Sequence, residues 1–244
     1  MEKDGIMIKF VNYINSLYSI MVKNFTILGE RCSGTNYLEE LMLTNFDINI
    51  TWKYGEKHDF GHYKFKQTKE AEEEEDATLF IGIVRHPVQW LHLLLRDYCR
   101  QKSNTFAIDD FLINRKHSIA KNNEIIKDEC NYITGDKYKD VFELRGMKNN
   151  YLMNNMFDNV KYYTLIKYEM LRDNTEDMLN FFKTTFELKT LLPLYKNILY
   201  YKKENNVLFY KTGNNVSIKY QFSCASKLNK TQEKELGYDI SLYI

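Results

Sequence analysis

Three short stretches carry residues that could do chemistry. "LGERCSGTNY", Leu28 to Tyr37, sets Gly29 and Gly34 in the G-x-x-x-x-G spacing of a nucleotide-binding P-loop. Glycine permits a tight turn there, and the amides opening a following helix can converge on an anion. Ser33 and Thr35 add hydroxyl donors, and Arg31 adds positive charge. The lysine of a Walker loop is missing, because Gly34 is followed by Thr35 and Asn36. "IVRHPVQWLHLLLRDY" puts Arg85 at the end of an apolar run, where a guanidinium can hold a phosphate through two parallel bonds. "WKYGEKHDFGH", Trp52 to His62, supplies Lys57, His58 and His62. An imidazole titrates near pH 6.5 and can serve as a neutral base at working pH. Two anion-binding features at two strand ends point to a ligand with two separated anionic groups.

Each stretch also has a plainer reading. The glycine loop alone is equally a strand–turn–helix connection without a ligand. Arg85 alone is a charge at a strand end, and His58 alone is a solvated loop histidine. "HDFGH" carries Asp where a zinc H-E-x-x-H site needs Glu, and Gly61 weakens a helix there. Its "DFG" stands without the glycine-rich loop, V-A-I-K strand and H-R-D loop of a protein kinase.

The elements that must position these residues follow from apolar periodicity. "FTILG" reads as a short strand, and "NYLEELMLTN" as a helix. "NITWKY" is expected to be a strand. "TLFIGIVR" is a continuous apolar run of the kind buried on both faces of a parallel sheet. Pro87 opens a helix through "VQWLHLLLRDYCR", whose Trp90, Leu91, Leu94 and Leu95 form the buried face. "VKYYTLIKYEML" begins as a strand, and "TEDMLNFFKTTF" returns to helix. Alternating strands and helices predict an α/β fold around a mostly parallel central sheet flanked by helices, with ligands at the carboxyl ends of the strands.

The chain has 244 residues, 44% hydrophobic and 15% aromatic, enough for a substantial core. A net charge of +1 gives no bulk attraction to nucleic acid, so any anion site is local and no nucleic-acid partner is expected. Cys32, Cys99, Cys130 and Cys224 are scattered without a CxxC pair, which argues against a zinc ribbon or disulfide framework and fits a reducing, cytoplasmic setting. Lys9, Asn12 and Asn15 interrupt the apolar start, so residues 1–20 are expected to be an amphipathic or dispensable extension, with no transmembrane segment. Residues 21–244 are expected to form one domain. "KFKQTKEAEEEEDA", Lys64 to Ala77, reads as a solvated loop or helix end.

Taken together, the stretches resemble sulfotransferases that use 3′-phosphoadenosine 5′-phosphosulfate (PAPS). "ERCSGTNYLEEL" is similar to that family's K/R-x-SGT loop, which holds the 5′-phosphosulfate. "RHPVQWLHL" is similar to its R-(N/D)-P segment, which holds the 3′-phosphate. "LIKYEMLRDN" resembles its Y-E-D-L segment, and "FELRGMKNNYL" and "LNKTQEKELGYD" resemble segments of microbial and viral members. The likeness runs from about Met21 to the end. It implies a P-loop NTPase-like sulfotransferase fold and a metal-free transfer of a sulfuryl group to a hydroxyl or amine of a carbohydrate or small molecule. It also implies that Arg31, Cys32, Ser33, Gly34, Thr35 and Asn36 bind the phosphosulfate. Tyr37 and Tyr168 would lie at the adenine, and Arg85 at the 3′-phosphate. "WKYGEKHDF" resembles the segment carrying the family's K-H pair, so His58 would take the acceptor proton and Lys57 would stabilise sulfuryl charge. Departures are clear. Leu93 stands where a serine grips the 3′-phosphate, Gln89 replaces an acid, His86 takes an Asn/Asp position, and Cys32 takes that of a lysine. Arg96 and Arg145 are candidates to compensate. Two alternatives stay open: a non-catalytic nucleotide- or glycan-binding relative, and an atypical P-loop kinase using magnesium-ATP.

Overall fold

Four short apolar strands lie side by side, all parallel, in the order β2-β1-β3-β4. They are β1 (Asn24–Leu28), β2 (Asn49–Ile50), β3 (Thr78–Val84) and β4 (Tyr162–Lys167). The structure, a computed structural model, describes residues 21–101, 130–199 and 225–241, with side chains from 96 to 101 outside that description. The expected extension over residues 1–20 therefore lies outside the described residues.

The helices are α1 (Thr35–Asn45), α2 (Lys69–Asp76), α3 (Pro87–Gln101), α4 (Val141–Asn150), α5 (Met156–Asn159), α6 (Tyr168–Asp173), α7 (Thr175–Thr185) and α8 (Lys230–Glu235), of which α1, α3 and α7 follow the expected periodicities. A π-helical stretch, Tyr151–Asn155, joins α4 to α5. Every residue of β3 is buried, as expected of a strand covered on both faces. Its Leu79, Ile81 and Ile83 pack with Phe25, Ile27, Leu38, Leu41 and Phe182 on one side. Phe80 and Val84 pack with Tyr54, Phe60, Leu152, Met156 and Tyr163 on the other. Trp90, Leu91 and Leu94 of α3 form a third cluster with Val141, Leu144, Leu228 and Ile240, so the expected buried face of that helix is present.

Two expectations change. "NITWKY" pairs with β1 only at Asn49 and Ile50, because the chain turns at Gly55 and leaves Trp52 and Lys53 exposed. The acidic run is not wholly solvated. Thr68 caps α2 by accepting from the Ala71 amide, and Glu75 turns inward, where it accepts from Tyr63 Oη and the Lys66 amide.

The chain passes from β1 to β2 on one side, then to β3 on the other side of β1. The strand order thus reverses between β1 and β3, the place where open α/β sheets present a crevice at their carboxyl edge. No helix among the described residues is long and apolar enough to cross a membrane.

Candidate functional site

All four strands deliver their following segment to one edge of the sheet. Register puts Leu28 beside Gly82 and Val84 beside Lys167, so Gly29, Arg85 and Tyr168 leave neighbouring strands close together. The β1–α1 connection, residues 29–34, turns sharply: Cys32 has φ 66° and Gly34 φ 98°. A Cβ on Gly34 would stand 2.2 Å from Tyr168 Cδ2, so glycine is needed there for both conformation and space.

The carbonyls of this loop are bonded to the protein one after another. Gly29 O accepts from His58 Nδ1 at 2.6 Å, and Glu30 O accepts from the Ser33 amide at 3.0 Å. Arg31 O accepts from Trp90 Nε1 at 2.9 Å, and Cys32 O from Arg85 Nη1 at 3.2 Å. A loop with its carbonyls drawn away, followed by the first turn of a helix, is the backbone arrangement that suits an anion. Ser33 and Thr35, both buried, stand at that turn.

The segment carrying Lys57 and His58 is fastened to the loop twice through Gly29. Its amide donates to Lys57 O at 2.9 Å, and its carbonyl accepts from His58. Because a carbonyl only accepts, Nδ1 carries the proton and neutral His58 keeps an acceptor lone pair on Nε2. Burial pulls this imidazole down from its ordinary value near 6.5 to about 4, opposed by the Glu30 carboxylate and the Gly29 bond. His58 is therefore neutral at physiological pH. Lys57 Nζ donates to Asn36 Oδ1 at 2.5 Å and pairs with Glu39, which ties it to the first turn of α1. The segment 57–62 forms turns rather than a helix, so His58 and His62 do not share a helical face. Among the described residues, no group of three or more His, Cys, Asp or Glu side chains is placed to hold a metal ion.

Beneath the loop lies Lys148 of α4. Its Nζ donates to Glu30 Oε1 at 2.6 Å and to His58 O at 2.5 Å, joining loop and histidine segment from behind. On the far side, Arg85 is 4% exposed and its Cζ lies 4.0 Å from the centre of the Tyr168 ring. Burial lowers the Arg85 guanidinium from its ordinary value, yet an arginine stays charged.

No family model matches the chain, and no curated protein or solved structure matches it.

The expected site residues thus separate into groups. Arg31, Cys32, Ser33, Gly34, Thr35, Asn36, Lys57, His58 and Arg85 meet at one edge. Tyr37 does not present a ring there. It is 1% exposed, packs in the core, and its hydroxyl donates to Asn197 Oδ1 at 3.0 Å. Tyr168 is equally buried, serving as a wall between Gly34 and Arg85. Leu93 is buried, and the buried Arg145 pairs with Glu233 and donates to the Arg85 carbonyl. Lys148, Glu30 and Glu169 had no role assigned from sequence, and Trp90 was read only as part of the buried face of α3. One signal was there to read: Val141, Leu144, Lys148 and Leu152 share a helical stripe, so Lys148 is a charge on an apolar face.

Proposed function

We propose that this chain is a sulfotransferase that moves a sulfuryl group from PAPS to a hydroxyl or amine of a carbohydrate or small-molecule acceptor. The observation that carries this reading is the bond between His58 Nδ1 and Gly29 O, which anchors the acceptor's base on the loop assigned to the phosphosulfate. The donor set fits such a ligand: two guanidinium groups, two hydroxyls, an ammonium and a helix N-terminus around one loop. When bound, PAPS supplies a sulfuryl group and a leaving phosphate. The acceptor oxygen or nitrogen forms a bond to sulfur, the sulfur–oxygen bond to the 5′-phosphate breaks, and the acceptor proton passes to His58 Nε2. The product is 3′-phosphoadenosine 5′-phosphate. Lys57 and Arg31 offset the charge that spreads over the transferring group, as positioned cations do in phosphoryl transfer.

Calorimetric titration with 3′-phosphoadenosine 5′-phosphate tests the reading. Binding to the wild type, loss in Arg85→Ala and no response to magnesium-ATP are expected. Absence of binding by a folded wild type overturns it. Burial of Leu93, where a hydroxyl would help hold the 3′-phosphate, favours a second reading as a binding protein without turnover. His58→Asn decides between them, since Asn keeps a donor for Gly29 O but has no proton-accepting nitrogen. Lost turnover with retained binding marks an enzyme, whereas a wild type that binds without turnover marks the second reading.

A further inference from the structure

The peptide joining Arg85 to His86 is gripped from both sides, and each grip ends in the C-terminal turn. On one side, Arg85 O accepts from Arg145 Nη2 at 3.0 Å. Arg145 is fully engaged by Glu233 of α8, through Nε at 2.5 Å and Nη2 at 2.8 Å. On the other side, the His86 amide donates to Glu169 Oε1 at 2.9 Å, and the second oxygen of Glu169 accepts from Tyr238 Oη at 2.9 Å. The Tyr238 ring also meets His86 edge-on, with centroids 5.5 Å apart. Arg145, Glu233 and Tyr238 are all buried.

A buried ion pair is a poor device for stability, because desolvation takes back most of the Coulombic gain. It is a good device for geometry, since a two-toothed carboxylate–guanidinium pair admits one orientation. Here that orientation aims the second N–H of Arg145 Nη2 at one carbonyl, that of Arg85.

We propose that Glu233 and Tyr238 are positioning residues that set selectivity for a 3′-phosphate. They fix the Arg85–His86 peptide through Arg145 and Glu169, without touching the ligand. The inference rests on the assignment of Arg85 to the 3′-phosphate.

The test compares binding of 3′-phosphoadenosine 5′-phosphate with that of adenosine 5′-phosphate, which lacks only the 3′-phosphate. It uses the full chain as wild type, Glu233→Gln and Tyr238→Phe, each checked for cooperative thermal unfolding. Glu233→Gln is expected to lower the preference for the 3′-phosphorylated ligand about tenfold, as when a charge-assisted bond is lost, and Tyr238→Phe about threefold. Affinity for adenosine 5′-phosphate should hold. Where Glu233→Gln does not fold, Tyr238→Phe alone decides, since it removes a single buried oxygen. Equal weakening of both ligands, or no change in a folded variant, overturns the positioning role alone. A wild type without any preference overturns the assignment of Arg85 first, and this inference with it.

Discussion

The two halves of the candidate site are held in different ways. The loop 29–34 and the Lys57–His58 segment are joined largely through main-chain groups of the loop: the Gly29 amide donates to Lys57 O, its carbonyl accepts from the His58 imidazole, and Ser33 bonds Glu30. From farther along the chain, Lys148 reaches Glu30 and His58, 118 and 90 residues away, while Trp90 and Arg85 hold the Arg31 and Cys32 carbonyls. Arg85 and His86 are fixed almost wholly from a distance, by Arg145, Glu169, Glu233 and Tyr238. Loops fastened by main-chain bonds tolerate exchange of side chains, whereas a peptide fixed by buried charges depends on each of them. Departures at loop side chains that make none of these bonds should therefore be cheaper than departures among the buried charges.

Lys148→Met is the sharpest way to break that contrast. If the loop were self-sufficient, the change would be mild. Instead it leaves the Glu30 carboxylate buried without its ammonium, so a loss of about 3–5 kcal/mol in denaturant unfolding is expected. Adding Glu30→Gln should restore part of that loss, since the pair is coupled. A cost under about 1 kcal/mol would mean that the Gly29 bonds alone hold the loop.

That asymmetry also explains what could be read from the sequence. Strands β1, β3 and β4, the helices α1, α3 and α7, and the glycine loop all write their signal within a dozen neighbouring residues, as apolar periodicity or turn chemistry. β2 is shorter than expected, an edge strand with one partner, and its two paired residues leave almost no pattern. Glu75 was indistinguishable from its acidic neighbours, although it alone turns inward. Arg145 was named from sequence as a candidate at the 3′-phosphate, but its pairing with Glu233, 88 residues away, left no local sign. Tyr37 and Tyr168 were assigned to a nucleobase by resemblance; both rings are buried, with Tyr168 set between Gly34 and Arg85. Buried polar pairing between distant positions leaves no local trace, and that is how the Arg85 half is built.

Gly34→Ala probes the wall that the halves share. The new methyl meets the Tyr168 ring at 2.2 Å and forces a residue with a Cβ to φ near 98°, so the expected cost is about 2–4 kcal/mol. Because the same ring lies against Arg85, the effect should not add to that of Arg85→Ala. A double mutant whose loss equals the sum of the singles, within about 0.5 kcal/mol, would show that Tyr168 does not couple the halves.

The smallest effect is electrostatic and separates the histidines of the two halves. In the unfolded chain an imidazole takes up its proton near pH 6.5, whereas folded His58 does so near 4. Between those values the unfolded state binds more protons, so stability is full above about pH 6.5 and falls as pH drops toward 4. Allowing for partial exposure, the loss is about 2 kcal/mol. Burial also lowers His86, which adds to the slope in the same direction. Chemical denaturation of wild type, His58→Asn and His86→Asn between pH 4 and 7 should show the larger slope lost with His58. The same displacement places the acid limb of kcat/KM near pH 4 rather than 6.5 if His58 is the base of the free enzyme. A bound polyanion favours the imidazolium, so the limb of kcat should lie at higher pH. Coinciding limbs near 6.5 would move the proton-accepting role away from a histidine bonded to Gly29.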